Sequence, residues 1–170
     1  MTFETNRNDG LTVSALAILA ALTVTVAHEA LGHGGACLAL GGHITRLSSA
    51  LFRCDISLPW IDAAGPAMNL LAGTLALILS HCVKSIPLRL YLILVTALSY
   101  FWDGGYLAQA MLTQKGDLYF ASRDLIGGPA DAWRLGGGVA GIGLYLAAVR
   151  LTSGALRTFG HEPRPAGSHA

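Results

Sequence analysis

Charged residues are scarce in this 170-residue sequence. Only 12% of the residues are Asp, Glu, Lys or Arg, whereas 53% are hydrophobic. Because soluble domains usually carry about 25% charged residues, this composition indicates a membrane protein. The formal net charge of +1 provides no strongly basic surface, so we expect no nucleic-acid partner.

Cysteines at metal-binding or disulfide-framework spacing are also missing. Cys37, Cys54 and Cys82 are an odd number and form no Cys-x-x-Cys motif. Neither a disulfide framework nor a thiolate zinc site follows from such a pattern. We therefore expect the three cysteines to be unpaired and to fill space as small apolar side chains, since free cysteine is commonly buried.

Long apolar stretches dominate what remains. About 20 apolar residues cross a bilayer as one helix, and four stretches approach or exceed that length. The sequence therefore predicts an all-α polytopic membrane protein. Residues 11–151 would form a single membrane-embedded domain, between a polar segment at 1–10 and a flexible tail at 152–170. The predicted spans are Leu11–Leu40, Ala63–Val83, Leu90–Gln114 and Leu135–Val149.

The connections between these spans differ in character. Weak alternation within Gly41–Trp60 favours a short β-hairpin after the first span, with His43 as a surface residue rather than a ligand. Lys115–Trp133 reads as a polar loop. Pro66 suits the first turn of the second span. The glycines of the fourth span would allow close packing on a neighbouring helix.

The first span ends in a concentration of ionisable side chains, His28, Glu29 and His33, within Val26-Ala-His-Glu-Ala-Leu-Gly-His-Gly-Gly-Ala36. In the His-Glu-x-x-His zinc motif the histidines lie four positions apart on one helix face. Here they lie five apart, and on a regular helix their side chains would diverge by about 140°. A π-bulge would bring them back together. Unwinding at one of the neighbouring glycines would have the same effect.

Two further polar side chains lie inside the predicted spans. Asn69 follows Pro66 in the second span, and Asp103 lies near the middle of the third. An acid at that depth is costly and points to a functional site, unless Gly104 and Gly105 end the helix and leave Asp103 in a loop. Because the spans alternate in direction, all these polar groups fall on one side of the bundle. Two histidines and an aspartate would leave a fourth zinc position open for water, as in catalytic sites.

Three ordered motifs carry a resemblance to a known family. They are His-Glu-…-Gly-His at 28–33, Gly-Pro-x-x-Asn at 65–69 and Asp-Gly-Gly at 103–105. In this order they resemble the site-2 protease family of intramembrane zinc metalloproteases, specifically its small members without a PDZ module. The resemblance covers Ala27 to Tyr106.

The resemblance implies a site and a function. His28, His33 and Asp103 would bind Zn²⁺, Glu29 would be the catalytic acid and base that activates a zinc-bound water, and Asn69 would lie near the substrate. The substrate would be a membrane protein, bound in extended form along strands within Gly41–Trp60. A bacterial inner membrane is the expected location. The sequence carries no indication of the oligomeric state.

An alternative hypothesis stays open. The extra residue between Glu29 and His33, and Trp102 in place of the family's usual leucine, are compatible with a catalytically inactive relative that acts as a binding or assembly subunit. A metal transporter would instead spread polar groups along a pathway through the bilayer.

The charge distribution gives no orientation. The positive-inside rule needs an excess of Lys and Arg on one side. Six of these residues would lie on the side of the N-terminus and five on the other side. The first set is Arg7, Lys84, Arg89, Arg150, Arg157 and Arg164, and the second is Arg46, Arg53, Lys115, Arg123 and Arg134.

Overall fold

The first membrane span is one uninterrupted helical rod made of three parts. The computed structural model describes residues 4–49, 51–127 and 129–161. Within it, helix α1 (Glu4–Val26) continues into a π-helical segment (Ala27–Gly34) and then into helix α2 (Gly35–Ala39). The backbone keeps right-handed helical angles at both junctions, Val26 and Gly35. The change of helix type therefore alters side-chain directions without breaking the rod.

Three further long helices complete the bundle. They are α3 (Pro59–Cys82), α4 (Ile86–Thr113) and α6 (Ala130–His161), with the shorter α5 (Asp117–Ile126) before the last. Together with the first rod, these give four helices, within the described part of the chain, that are long and apolar enough to cross a membrane. Large apolar side chains stay exposed along them, for example Leu75 and Ile78 on α3 and Ile142 on α6. Lipid can cover such faces, and the prediction of an all-α polytopic membrane protein is confirmed.

Helix α4 lies at the centre of the packing and contacts α1, α3 and α6. A small apolar core joins α1 and α3 to α4. Helices α4 and α6 approach most closely at Gly104 and Gly141. A Cβ at Gly104 would lie 2.6 Å from the backbone nitrogen of Tyr145, and one at Gly141 would lie 2.5 Å from that of Ala108. The predicted close packing of the glycine-rich fourth span is thus confirmed. The apolar core consists of Ala20, Val24, Ala76, Leu92 and Val95.

A two-stranded antiparallel sheet follows the first rod. Strands β1 (Ile44–Leu47) and β2 (Phe52–Cys54) pair with a bulge between Ile44 and Arg46. Just before β1, the His43 N–H donates to Asp55 Oδ1 at 2.7 Å, and the exposed His43 ring lies 3.1 Å from Asp55 Oδ2. The predicted hairpin and the surface position of His43 are both confirmed.

The cysteine prediction was wrong. Cys37 and Cys54 form a disulfide with a Cα–Cα distance of 6.0 Å, while Cys82 is free and exposed at the end of α3. The reason is tertiary: the hairpin folds back so that β2 lies beside α2. A separation of 17 residues along the chain carries no sign of that contact.

Three local predictions also need correction. Helix α3 begins at Pro59, so Pro66 lies inside the helix rather than in its first turn. Asn69 consequently lies deeper in its span than predicted. Within the predicted polar loop at 115–133, residues Asp117–Ile126 form α5. Helix α6 continues past Thr152 to His161, where the flexible tail was predicted to begin. Residues 162–170 of that tail, and residues 1–3 of the polar N-terminal segment, lie outside the described residues.

Removal of the disulfide is expected to loosen the hairpin. Closing a loop of about 15 residues stabilises a fold by about 3 kcal/mol in the chain-entropy model. We expect the double variant Cys37→Ala, Cys54→Ala to lose about that much stability, measured by thermal unfolding in detergent. Cys82→Ala is the matched control and should unfold like the wild type. An unchanged midpoint for the double variant would contradict the assigned disulfide.

Candidate metal centre

The π-helical segment brings the two histidines together. In a π-helix the hydrogen bonds run from residue i to i+5, so residues five apart fall on one face. His28 Nε2 and His33 Nε2 lie 3.1 Å apart, and the rings meet edge to face with centroids 4.8 Å apart. Both side chains are buried, at 6% and 4% exposure. Of the two alternatives, a π-bulge and unwinding at a glycine, the structure has the π-helical one, and the five-residue spacing does not separate the imidazoles.

A third candidate ligand, which the sequence did not indicate, lies beside the two histidines. Asp117, the first residue of α5, has its Oδ2 3.4 Å from His33 Nε2 and 3.8 Å from His28 Nε2. Tyr106 holds this carboxylate: its hydroxyl donates to Asp117 Oδ2 at 3.2 Å and accepts from the Asp117 N–H at 3.0 Å. We call His28, His33 and Asp117 the ligand triad.

The charged form of Asp117 is favoured. Burial raises the pKa of its carboxyl, but when both imidazoles are protonated, hydrogen bonds from Nε2 of His28 and His33 and attraction to their charge outweigh burial and hold the pKa below its ordinary value. An ionised carboxylate is the form that binds a metal cation.

The separations within the triad suit a tetrahedral cation. Zinc bonds of about 2.0–2.1 Å to nitrogen and oxygen in tetrahedral geometry require ligand atoms about 3.3 Å apart. The three observed distances are 3.1, 3.4 and 3.8 Å. The three residues could thus hold one tetrahedral cation, and zinc is one ion of this kind. Such an ion would take its fourth ligand from elsewhere.

Gly65 leaves room beside the two imidazoles. A Cβ at this position would lie 2.8 Å from His28 Nε2 and in still closer contact with His33 Nε2. Gly32 makes the approach of α3 possible, since a Cβ there would lie 2.6 Å from the Gly65 Cα. The π-helical segment and α3 therefore cross at two glycines, directly against the nitrogens that would hold the ion.

The outer face of His33 is set for metal binding through Nε2. Its Nδ1–H donates to the Ile61 carbonyl at 2.7 Å, which directs the Nε2 lone pair into the triad. Phe52 of β2 stacks on the ring with centroids 5.5 Å apart. Hydrogen bonds of this kind fix the tautomer and orientation of metal-binding histidines.

His28 is supported by the two intramembrane polar residues that the sequence singled out. Asn69 Nδ2 lies 3.0 Å from His28 Nδ1 and 3.4 Å from Asp103 Oδ1. The structure thus places Asn69 between the imidazole and the carboxylate. Asp103, predicted as the third metal ligand, lies behind Asn69 and outside the triad. Helix α4 continues through Gly104 and Gly105, so Asp103 is a helical residue rather than a loop residue.

The amide of Asn69 provides a test of the metal fit. Its Oδ1 is buried without a hydrogen-bond partner, as is Asp103 Oδ2. Metal binding through His28 Nε2 requires a proton on Nδ1. In the observed orientation the amide N–H groups face both His28 Nδ1 and Asp103 Oδ1, which makes His28 Nδ1 an acceptor. Zinc binding through Nε2 would require the amide to turn, so that Oδ1 accepts from Nδ1–H and Asp103 Oδ1 loses its donor.

A cavity of about 370 Å³ opens in front of the triad. Glu29, half-buried beside His28, contributes to its wall, so an acid lies next to the candidate metal position. Asp62 near the start of α3 adds another carboxylate. The cavity is lined by His28, Glu29, His33, Ser49, Leu51, Phe52, Asp62, Trp102, Tyr106 and Asp117.

Sequence reasoning missed several of these residues. Asp117 and Asp62 lie near span ends, where acids are common and carry no special signal. Tyr106 and Gly65 have roles that only the tertiary contacts reveal. A weak signal for Asp117 was present in Gly116-Asp117, because a glycine followed by an acid is typical of a helix start.

Comparison of the chain with protein-family models, curated proteins and solved structures finds no match in any of the three.

The two candidate acids can be told apart by metal affinity. We expect Asp117→Asn to weaken zinc binding by more than about 100-fold, because it removes a direct ligand. Asp103→Asn acts through Asn69 and should cost roughly 10–100-fold, the usual loss for an outer-shell partner. Competition with a zinc chelator in detergent measures both. Greater loss in Asp103→Asn would restore Asp103 as the ligand.

Gly65 gives a steric test of the same position. We expect Gly65→Ala to lower the zinc content of the purified protein well below that of the wild type, since the added methyl group crowds both Nε2 atoms. Gly35→Ala is the matched control on the neighbouring rod, where a Cβ meets nothing within 4 Å. Thermal unfolding of the metal-free proteins separates a local effect from a fold defect. Full zinc content in Gly65→Ala would contradict the placement of the ion.

Proposed function

We propose that this protein is an intramembrane zinc metallopeptidase that hydrolyses peptide bonds in membrane-protein substrates. The observation that carries the proposal is the ligand triad. Three ligand atoms lie at the separations that tetrahedral zinc needs, and all three residues line one cavity. Three protein ligands with an open position are typical of catalytic zinc sites, whereas structural sites use four.

The chemistry follows from the residues around the triad. A zinc ion held there would lower the pKa of a water molecule and polarise a carbonyl group. Glu29 lines the same cavity and is suited to take the proton of the attacking water and pass it to the leaving amine. Asn69 and Asp103 orient His28, and Tyr106 orients Asp117. In this assignment Asn69 is a positioning residue rather than a substrate contact.

The surroundings of the site favour a membrane-protein substrate. The histidines lie in a rod that is apolar over residues 10–39, and Trp102 of α4 is an exposed side chain in the cavity wall. The hairpin residues Leu51 and Phe52 form another part of that wall. The resemblance to site-2 proteases supports the same activity and suggests a bacterial inner membrane.

The alternative of an inactive binding or assembly subunit loses its main support. That hypothesis depended on the extra residue between Glu29 and His33, and the π-helical segment accommodates this residue.

That the metal is zinc is also part of the proposal. Two histidines and one carboxylate bind iron in some oxygenases, so mass spectrometry of the metal in the purified protein is the first measurement.

Glu29 is the residue on which hydrolysis depends most. We expect Glu29→Gln to lower the cleavage rate by about 10²–10⁴-fold, the usual contribution of a general base, and to leave the zinc content unchanged. The assay uses fluorescence-quenched casein and a synthetic single-span peptide, with zinc-loaded protein in detergent.

Asp131→Asn is the control for loss of an acid, since the Asp131 side chain is fully exposed. It should cleave at the wild-type rate. Equal cleavage by Glu29→Gln and the wild type would exclude Glu29 as the base. Stoichiometric zinc with no cleavage of either substrate by the wild type would favour the binding or assembly subunit.

A further inference from the structure

We infer that the hairpin, α5 and the opening of the metal-site cavity face an oxidising compartment, so that the proposed peptidase takes its substrate segments from outside the cytosol. The statement about orientation rests on the fold alone. The statement about substrates rests also on the proposed function.

The disulfide lies on the same face as the ligand triad. Cys37 follows His33 by one helical turn on the first rod, and Cys54 ends the strand that carries Phe52. The Phe52 ring stacks on His33. The disulfide therefore fastens to the rod the strand that covers a metal-binding imidazole. Structural disulfides persist in oxidising compartments and are rare in the cytosol.

The remaining cysteine lies on the opposite face. Cys82 ends α3, which runs from the hairpin side towards the turn before α4. It is an exposed free thiol, and its thiol donates only to the Ile78 carbonyl of its own helix at 3.7 Å. A lone thiol is compatible with either compartment, so Cys82 serves only as a label for the face opposite the disulfide.

No other feature of the sequence determines the orientation. Lys and Arg are balanced, six against five, between the two sides. The disulfide therefore carries the assignment. With four spans, the start of α1 at Glu4 and the end of α6 at His161 fall on the side of Cys82, the cytosolic side. The cavity then admits extracytoplasmic or outer-leaflet segments of membrane proteins.

Thiol labelling of the full chain tests the orientation. The reagent is a membrane-impermeant maleimide coupled to polyethylene glycol, which shifts the protein on a gel, applied to intact and to lysed spheroplasts. One sample is the wild type, whose free thiol is Cys82. The other combines Cys82→Ser with Asp131→Cys, which puts a thiol at a fully exposed position at the start of α6, on the hairpin side.

We expect the Asp131→Cys protein to shift in intact spheroplasts and the wild type to shift only after lysis. The reverse pattern would overturn the inference. A second measurement needs no substitution: cells are treated with a permeant alkylating reagent before denaturation, without reductant, and the protein is weighed by mass spectrometry. One alkylated cysteine supports the disulfide, and three would overturn it.

These outcomes are independent of catalysis. Labelling from outside together with unchanged cleavage in Glu29→Gln would retain the orientation and reject the catalytic role of Glu29. The reversed labelling pattern together with loss of cleavage in Glu29→Gln would retain the peptidase and move its substrates to the cytosolic side.

Discussion

The π-helical register of Ala27–Gly34 is the constraint on which the candidate site depends. In an α-helix, His28 and His33 would point about 140° apart, and no single ion could contact both. In the observed register their Nε2 atoms lie 3.1 Å apart, without a break in the rod that contains them. π-helical insertions are rare and often mark functional sites. A sequence that only had to cross the membrane would have no reason to keep one beside two histidines and a glutamate.

The rest of the bundle is arranged to support this register. Buried polar groups in a membrane are costly unless they satisfy one another. Here they form a connected chain, in which Asp103 contacts Asn69, Asn69 contacts His28, and His28 contacts His33. The chain forms because Gly32 and Gly65 let α3 approach the π-helical segment to backbone contact. A side chain at either glycine would push α3 away from the π-helical segment and so separate Asn69 from His28.

The membrane spans could be predicted because hydropathy over about 20 residues is a local property of the sequence. The five-residue spacing of the histidines showed that a regular α-helix would not bring them together, but it left a π-bulge and unwinding at a glycine as equal possibilities. The structure has the π-helical form. Asp103 was singled out because an acid within a membrane span is unusual. The free-energy cost of burying a carboxylate there implies that it needs a polar partner, but it does not imply that the partner is a metal.

Asp117 was missed because an acid beside a glycine at a helix start is ordinary. Its importance arises from α5 folding onto the histidines and from Tyr106 holding its carboxylate. The Cys37–Cys54 pair was missed for the same reason, since only the folded hairpin brings the two sulfurs together.

The origin of the third ligand affects how the site would assemble. Both histidines belong to a membrane rod, whereas Asp117 begins a helix outside the predicted spans, four residues after α4 ends. Metal binding to residues on separate elements adds its free energy to their association. An ion in the triad would therefore fasten α5 to the rod. The disulfide fastens the hairpin to the same rod from another direction. With the ion and the disulfide both in place, the parts of the cavity wall that belong to the rod, α5 and the hairpin would be held together. The rest of the wall, made by Asp62, Trp102 and Tyr106, belongs to α3 and α4.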